Sequence, residues 1–137
     1  MVGLLGSDVG EHEGQAHLVA MVQVRAEHLM TGTGCVGKVQ FADLAGSDTV
    51  ESMDRSLRVL AEVADAKVQY SRAVPFRSST LTHLLRDSLE SDTKVLFFAC
   101  VSSDEDDLES TKRTLQFASR MQRVNIGKAT KHIISPP

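Results

Sequence analysis

The sequence has few cysteines and few histidines, which argues against a disulfide-rich protein and against a zinc-binding protein. Its two cysteines, Cys35 and Cys100, lie far apart and lack the spacing of metal ligands. We therefore predict two reduced, buried thiols rather than a disulfide framework. The five histidines are scattered, and His12 and His17 have no neighbouring Cys or His cluster that would complete a zinc site. No metal site is predicted.

Long apolar runs are also absent. No stretch of about 18 apolar residues occurs, so no transmembrane helix is predicted. The first residues, MVGLLGSDVG, have no basic residue before a short apolar run, so no signal peptide is predicted. With 42% hydrophobic and 24% charged residues in 137, the composition predicts a globular domain or part of one. We expect a cytosolic protein without membrane or nucleic-acid partners.

Charge is distributed unevenly, although the net charge is only -3. The segment from Asp104 to Glu109 is almost entirely acidic. Carboxylates stabilise the positive end of a helix dipole, so this segment predicts the start of a helix. From Thr111 onwards the chain has basic residues and no acidic ones. Two interpretations of this basic part stay open: a solvated helix face, or a contact for an acidic polymer.

Alternating apolar residues predict a β-hairpin in the first half of the chain. The strands are HLVAMVQVRAEHL, from His17 to Leu29, and KVQFADL, from Lys38 to Leu44, and the glycine-rich segment between them is a turn. The stretch Gly32-Thr-Gly-Cys-Val-Gly-Lys38 matches the P-loop motif up to its last position. Val39 has no hydroxyl for magnesium, and Lys38 begins a strand rather than a helix. We therefore predict a hairpin turn here and not a phosphate-binding loop.

Helical periodicity dominates the second half. Apolar residues at helical spacing predict a helix from Glu51 to about Ala66. The chain is then extended through Pro75, and a short helix follows with a serine cap at Ser78 or Ser79. The last helix is predicted from about Asp107 to Val124.

One apolar run in this half predicts a further strand. KVLFFACVS, from Lys94 to Ser102, is almost continuously apolar, which is typical of a strand buried on both faces. Buried strands interleaved with helices indicate an α/β domain. The last residues, IGKATKHIISPP, are predicted to be irregular.

Several motifs in a fixed order resemble those of kinesin motor domains. FADLAGSD, at residues 41–48, is similar to the family's second-switch motif V-D-L-A-G-S-E. AVPFRSSTLTHLLRDSL, at 73–89, resembles H-V-P-Y-R-x-S-K-L-T-x-L-L-x-D-S-L. Five shorter segments match at the expected places: HLVAMVQV after the first switch, DRSL, KVLFFACVS, STKRTLQFASR, and RVNIGKA, which is similar to kinesins with a C-terminal motor. The resemblance covers about Gln15 to Ala129.

This resemblance implies an α/β fold with a partial kinesin-like, P-loop NTPase-related sheet, truncated and with helices mainly on one face. Residues 1–126 are then a partial motor domain, from the second switch to the last motor helix, and 127–137 a tail. In kinesins the P-loop strand lies between the strands matching Val39–Leu44 and Val95–Val101. We expect those two strands either to pair directly or to leave a gap with unpaired edges. Either arrangement leaves apolar surface uncovered, which predicts marginal stability and self-association, or a partner chain covering the open face.

The resemblance also assigns nucleotide-related roles. Asp43 and Gly46 match the family's sensors of magnesium and terminal phosphate, and Asp48 matches the second-switch Glu with one methylene less. The chain departs from the family at the first switch, where Glu13-Gly-Gln-Ala-His17 replaces S-S-R-S-H. The intact family uses Mg-ATP, but for this chain we expect no cofactor, because positioning of the phosphates requires several such groups. The DLAG segment is then a strand end and tight turn.

A cationic surface is implied as well. In kinesins the matching helices and loop face tubulin, which is acidic and attracts cations through screened electrostatics. Thr80 replaces a usual Lys, and the intervening acidic residues Asp54, Glu62 and Asp65 nearly cancel the charge. Ordinary solvated helix faces are the alternative. The matching residues are Arg55, Lys67, Arg72, Arg77 and His83.

These features predict a kinesin-like protein of the cytoplasm and cytoskeleton, with microtubule binding and microtubule-based movement as the family's function. Whether the chain is an enzyme is left open by the sequence. The first hypothesis is a microtubule-binding module that does not hydrolyse ATP by itself. The second is a fragment or incomplete gene model of an active microtubule-stimulated ATPase. The third is an inert remnant.

Overall fold

The structure is a computed structural model that describes residues 2–5, 16–46, 55–90, 92–129 and 133–134. The chain divides into two compact units. The first comprises Met1–Ala45 and Ala129–Pro137, and the second comprises Gly46–Lys128.

The first unit contains an antiparallel sheet. Its strands are β1 (Val2–Leu5), β2 (Leu18–Glu27), β3 (Gly34–Asp43) and β4 (Ile133–Ile134), in the spatial order β1-β2-β3-β4. The β2–β3 hairpin has a continuous register from Leu18 opposite Asp43 to Glu27 opposite Gly34. The predicted hairpin is therefore confirmed. The tail was predicted to be irregular, but it supplies β4, which pairs with Gly34 and Cys35.

The turn of this hairpin occupies the stretch that nearly matches a P-loop. The amide of His28 donates to the carbonyl of Thr33 at 2.8 Å, and the amide of Gly32 donates to the carbonyl of His28 at 2.9 Å. Gly32 has a φ of 65°, a conformation that glycine adopts without steric cost. Lys38 lies within β3. The predicted hairpin turn is therefore present, but β3 begins at Gly34, four residues before the predicted strand start at Lys38.

One face of the β2–β3 hairpin carries apolar side chains. Val39 lies opposite Val22 and Phe41 opposite Ala20, so the two pairs share that face. Val39 is 46% exposed and Phe41 is 62% exposed. The uncovered apolar surface expected from the sequence is therefore present on these strands.

The second unit is helical and holds most of the buried core. It contains α1 (Arg55–Val68), α2 (Thr80–Leu84), α3 (Arg86–Glu90) and α4 (Leu108–Gln122), with 3-10 turns at Phe76–Ser78 and Glu105–Asp107. The predicted first helix is confirmed over its described part, since residues 51–54 lie outside the described residues. The buried apolar side chains of this unit are Leu57, Val59, Leu60, Ala61, Val63, Ala64, Phe76, Leu81 and Leu89.

The predicted short helix after Pro75 is present, but it is divided. Ser79 caps α2, because its hydroxyl accepts a hydrogen bond from the Thr82 amide at 3.1 Å. Leu85 separates α2 from α3. The acidic segment also lies where predicted, in the 3-10 turn and first helical turn that open α4.

The strand predicted from Lys94 to Ser102 was wrong. These residues form neither strand nor helix, and Leu96 and Phe98 are 77% and 78% exposed. A strand needs a neighbour for its backbone groups, and within the described residues β3 pairs only with β2 and β4. Direct pairing of this segment with β3 is therefore not observed within the described residues. The Phe97 ring lies 5.7 Å from the ring of Phe117. Cys100 of this segment is exposed and Cys35 is half-buried, so the prediction that both thiols are buried was wrong.

Candidate functional site

The end of β3 forms the first candidate site. Asp43 is the last residue of β3, lies opposite Leu18 and is exposed. Two residues later, the amide of Ala45 donates to Nδ1 of His17 at 3.0 Å. Ala45 is buried, so this hydrogen bond satisfies a backbone group that water does not reach readily. The histidine that precedes β2 thereby holds the turn that follows β3.

Within the described residues, the end of β3 and the turn that follows it present one carboxylate, that of Asp43. The carboxylate of Asp43 makes no hydrogen bond or ion pair within the described residues, and Gly46 is exposed. Magnesium requires near-octahedral oxygen coordination. No group of three or more His, Cys, Asp or Glu side chains that could hold a metal occurs in the part of the chain that the structure describes. Asp48 lies outside the described residues, and the roles of all three residues stay predictions.

The second candidate site is a cleft in the helical unit, here called the cationic cleft. It has a volume of about 440 Å³ and is lined by four basic side chains and one acidic one, Glu90. The segment Val74–Phe76 supplies an apolar part of its wall. The four basic residues are Lys67, Arg72, Arg77 and Arg86.

Glu90 holds two of these cations in place. Its carboxylate oxygen Oε1 accepts a hydrogen bond from Nε of Arg86 at 2.9 Å, and its backbone carbonyl accepts from Nζ of Lys67 at 2.7 Å. The guanidinium of Arg86 also lies 6.0 Å from the centre of the Phe76 ring, within reach of a cation–π interaction. Lys67 and Arg86 are therefore held in position by Glu90.

The other two cations face solvent. Arg72 lies between α1 and the 3-10 turn, and Arg77 lies within that turn. Both are exposed, and neither makes a hydrogen bond or ion pair within the described residues. Their charges are thus available to an acidic partner.

Three of the five cations predicted from the sequence meet in this cleft, and two do not line it. Arg55 begins α1, about 18 Å from Lys67 along the helix axis at ~1.5 Å per residue. His83 is exposed on α2. Arg86 was missed, although its spacing from Glu90 on a helix, four residues apart, is a recognisable ion-pair signal.

A larger groove of about 1020 Å³ runs along α4 in the same unit. Its wall is mainly apolar and includes Val95, Phe97, Leu115 and Ala118. None of the site residues predicted from the sequence lines this groove.

The motif order and this partial fold agree with comparisons to known proteins. The family model of the kinesin motor domain matches residues 6–124. The chain belongs to the kinesin motor domain family. The predicted resemblance is therefore confirmed.

Among relatives, the chain is 36% identical over 140 residues to a kinesin-like protein of Oryza sativa subsp. japonica, KIN-14E, covering 93% of this chain and 13% of that protein. It is also 36% identical over 136 residues to the kinesin-like protein KIN-14Q of Arabidopsis thaliana, covering 90% of this chain and 11% of that protein. The chain thus spans only a small part of the relatives it matches.

Solved structures support the fold in the same way. The C-terminal motor domain of Kar3 from Candida glabrata superposes with a TM-score of 0.72 at 34% identity, covering 82% of this chain and 37% of that one. The motor domain of the Kar3-like kinesin from Ashbya gossypii gives 0.71 at 33% identity, with coverage of 80% and 40%. The α/β class and the partial, kinesin-like character of the fold are confirmed. Within the described residues, no helix has the length and apolarity needed to cross a membrane.

Proposed function

We propose that the cationic cleft is part of a microtubule-binding surface, and that the chain serves microtubule-based movement in a kinesin-like protein of the cytoskeleton. The observation that carries this proposal is the convergence of Lys67, Arg72, Arg77 and Arg86 on one cleft with a single carboxylate. Membership of the kinesin motor domain family makes tubulin, an acidic polymer, the natural partner.

The charge balance of the cleft favours an acidic partner. Four cations and one carboxylate leave a net charge of three positive units, 4 − 1 = 3. Because Arg72 and Arg77 are exposed, an approaching carboxylate can pair with them without displacing an existing partner. Each such exposed pair contributes roughly 0.2–1 kcal/mol, and salt weakens it over a Debye length of about 8 Å at physiological ionic strength. The expected binding is therefore weak and salt-sensitive.

We further propose that this chain does not hydrolyse ATP by itself. Gly34–Lys38 belongs to strand β3, and within the described residues Asp43 is not part of a group of three or more His, Cys, Asp or Glu side chains that could hold a metal. Phosphoryl transfer depends on positioning by phosphate loop, switches and magnesium together.

A second function is supported by the length of the relatives. The chain spans 13% of the rice protein and 37% of the Candida glabrata motor domain. Within a longer protein of that kind, Asp43 and Gly46 would act as parts of a complete Mg-ATP site. An ATPase assay of the chain alone and of the chain within a complete motor separates these two proposals.

Co-sedimentation with microtubules tests the main proposal. The parent is compared with the double variant Arg72→Ala/Arg77→Ala, which removes the two exposed cations of the cleft. The matched control is Lys112→Ala/Arg123→Ala, which removes two exposed cations that do not line it. The cleft variant is expected to sediment less than the parent and the control to sediment like it.

A further inference from the structure

Thr82 is a fully buried polar residue on α2, the helix that follows the turn carrying Arg77. Its exposure is 0%, although it lies on α2 only five residues after the exposed Arg77. A buried hydroxyl costs stability unless its hydrogen bonds are made. The partners of this hydroxyl therefore indicate what it holds in place.

Those partners are all in the turn that carries Arg77. Oγ1 of Thr82 donates to the carbonyl oxygen of Phe76 at 2.9 Å and lies 3.1 Å from that of Ser79. It also lies 2.9 Å from the hydroxyl oxygen of Ser79. The amide of Thr82 donates to that same serine oxygen at 3.1 Å.

One arrangement of protons satisfies every contact. The Ser79 hydroxyl accepts from the Thr82 amide and donates its own proton to Thr82 Oγ1. Thr82 Oγ1 then donates its single proton to the carbonyl of Phe76, with that of Ser79 as a weaker second acceptor. The two hydroxyls thus form a closed clamp across both ends of the Phe76–Ser79 turn.

The turn has few other restraints. The Phe76 amide donates to the Val74 carbonyl at 2.9 Å, the Ser78 amide to that of Pro75 at 3.2 Å, and the His83 amide to that of Ser79 at 3.0 Å. Phe76 is buried, whereas Arg77 and Ser78 are exposed. Removal of the Thr82 hydroxyl would leave the Phe76 carbonyl without this donor while the buried ring stays in the core.

We propose that Thr82 is a positioning residue for Arg77, holding the turn so that the guanidinium stays at the cationic cleft. This inference rests on the proposed function of the cleft. Thr82 acts through Arg77 and does not itself contact the partner, because it is not accessible to solvent.

A double-mutant cycle tests the coupling. Thr82→Val keeps the side-chain shape and removes the hydroxyl. It is expected to weaken microtubule binding by up to about fivefold, the most that one exposed ion pair of Arg77 contributes. In an Arg77→Ala background the same change is expected to have no further effect on binding. An equal loss in both backgrounds would show that Thr82 acts through general stability and would overturn the proposal.

Thr93→Val is the matched control. Thr93 Oγ1 also donates to a backbone carbonyl, that of Ser88 at 2.8 Å, but it lies outside the Arg77 turn. It is expected to leave binding unchanged. Thr82→Ser, which retains the hydroxyl, is expected to restore parental binding; failure to do so would assign the effect to the lost methyl group and contradict the proposal.

Amide hydrogen exchange gives a readout that does not depend on microtubules. Thr82→Val is expected to accelerate exchange at Phe76 and Ser78 and to leave the buried face of α1 unchanged. Unchanged exchange in the turn would overturn the positioning role even if the parent binds microtubules. If exchange in the turn is faster in Thr82→Val but the parent does not bind microtubules, the positioning role is retained and only the proposed function is removed. If Thr82→Val does not fold, Ser79→Ala, which removes the partner hydroxyl, is measured in the same way and read by the same criteria.

Discussion

Nζ of Lys67 donates a hydrogen bond to the carbonyl oxygen of Glu90 at 2.7 Å, which joins the last turn of α1 to the last residue of α3. The carbonyl oxygens at a helix end lack intrahelical partners and carry partial negative charge. A lysine that caps such an end satisfies one of them and places its own charge there. The floor of the cationic cleft is therefore also a structural joint between two helices.

Lys67→Met should separate these two roles. Methionine keeps most of the apolar stem but removes the donor, so we expect a loss of about 1 kcal/mol in the free energy of unfolding. Thermal or urea unfolding measures this loss. Lys112→Met is the control, because Lys112 is exposed and its nearest carboxylate oxygen, on Glu109, is 3.8 Å away. An equal effect of the two substitutions would show that the bond to Glu90 adds no stability.

Glu90→Gln should increase attraction for an acidic partner. The substitution keeps the backbone carbonyl that binds Lys67 but removes the carboxylate that offsets Arg86. We expect microtubule affinity at low salt to rise about twofold to fivefold, as for one exposed ion pair, and the increase to vanish at high salt. Glu109→Gln, on α4 outside the cleft, should have no effect. Weaker binding of Glu90→Gln would mean that the Arg86 geometry matters more than the charge.

Leu60→Ala and Leu96→Ala compare the truncation of a buried leucine with that of an exposed one. Leu60 is 1% exposed on α1, and Leu96 is 77% exposed in the segment that was predicted to be a buried strand. We expect the first substitution to destabilise the chain by about 2–5 kcal/mol through lost burial and a cavity. The second should change stability by no more than about 0.5 kcal/mol. A large loss from Leu96→Ala would place that segment in a core.

His17→Leu should loosen the turn that follows β3. The variant removes the acceptor of the Ala45 amide, so exchange of that amide should accelerate. His28→Leu, in the exposed hairpin turn, should leave Ala45 unchanged. Amide exchange by NMR reads both variants, and slow exchange of Ala45 in His17→Leu would mean that another group protects it.

The exposed apolar segment predicts self-association. Phe98 is 78% exposed and Leu96 nearly as much, and an apolar patch of this kind promotes contacts between molecules. The double variant Leu96→Ser/Phe98→Ser should therefore be more monodisperse than the parent in light scattering. A parent that is already monomeric at high concentration would contradict this expectation.

Local features of the fold could be predicted from the sequence, and features that need distant neighbours could not. The hairpin from Leu18 to Asp43 and the helix α1 follow from short-range periodicity and glycine placement. The segment Lys94–Ser102 has the composition of a buried strand, but a strand forms only where another strand offers a ladder. Apolar composition alone does not supply that neighbour.

The candidate site also has features that the sequence predicts and features that depend on packing. Residue types and family motifs identified Lys67, Arg72 and Arg77, whereas the cleft that unites them depends on the packing of α1 against the turn before α2. Thr82 became visible only through its contact with Phe76. The spacing of Arg86 and Glu90 was a sequence signal that was missed. Arg55 lies far from the cleft because helix length, and not sequence position, sets its distance.

The central claim is that Arg72 and Arg77 attract microtubules electrostatically. Its most direct test is the affinity of the parent, of Arg72→Ala/Arg77→Ala and of Lys112→Ala/Arg123→Ala over a series of salt concentrations. We expect the parent and the control variant to bind equally at low salt, the cleft variant to bind more weakly, and all three affinities to converge as salt screens the charges. Equal affinities of the parent and the cleft variant at low salt would contradict it.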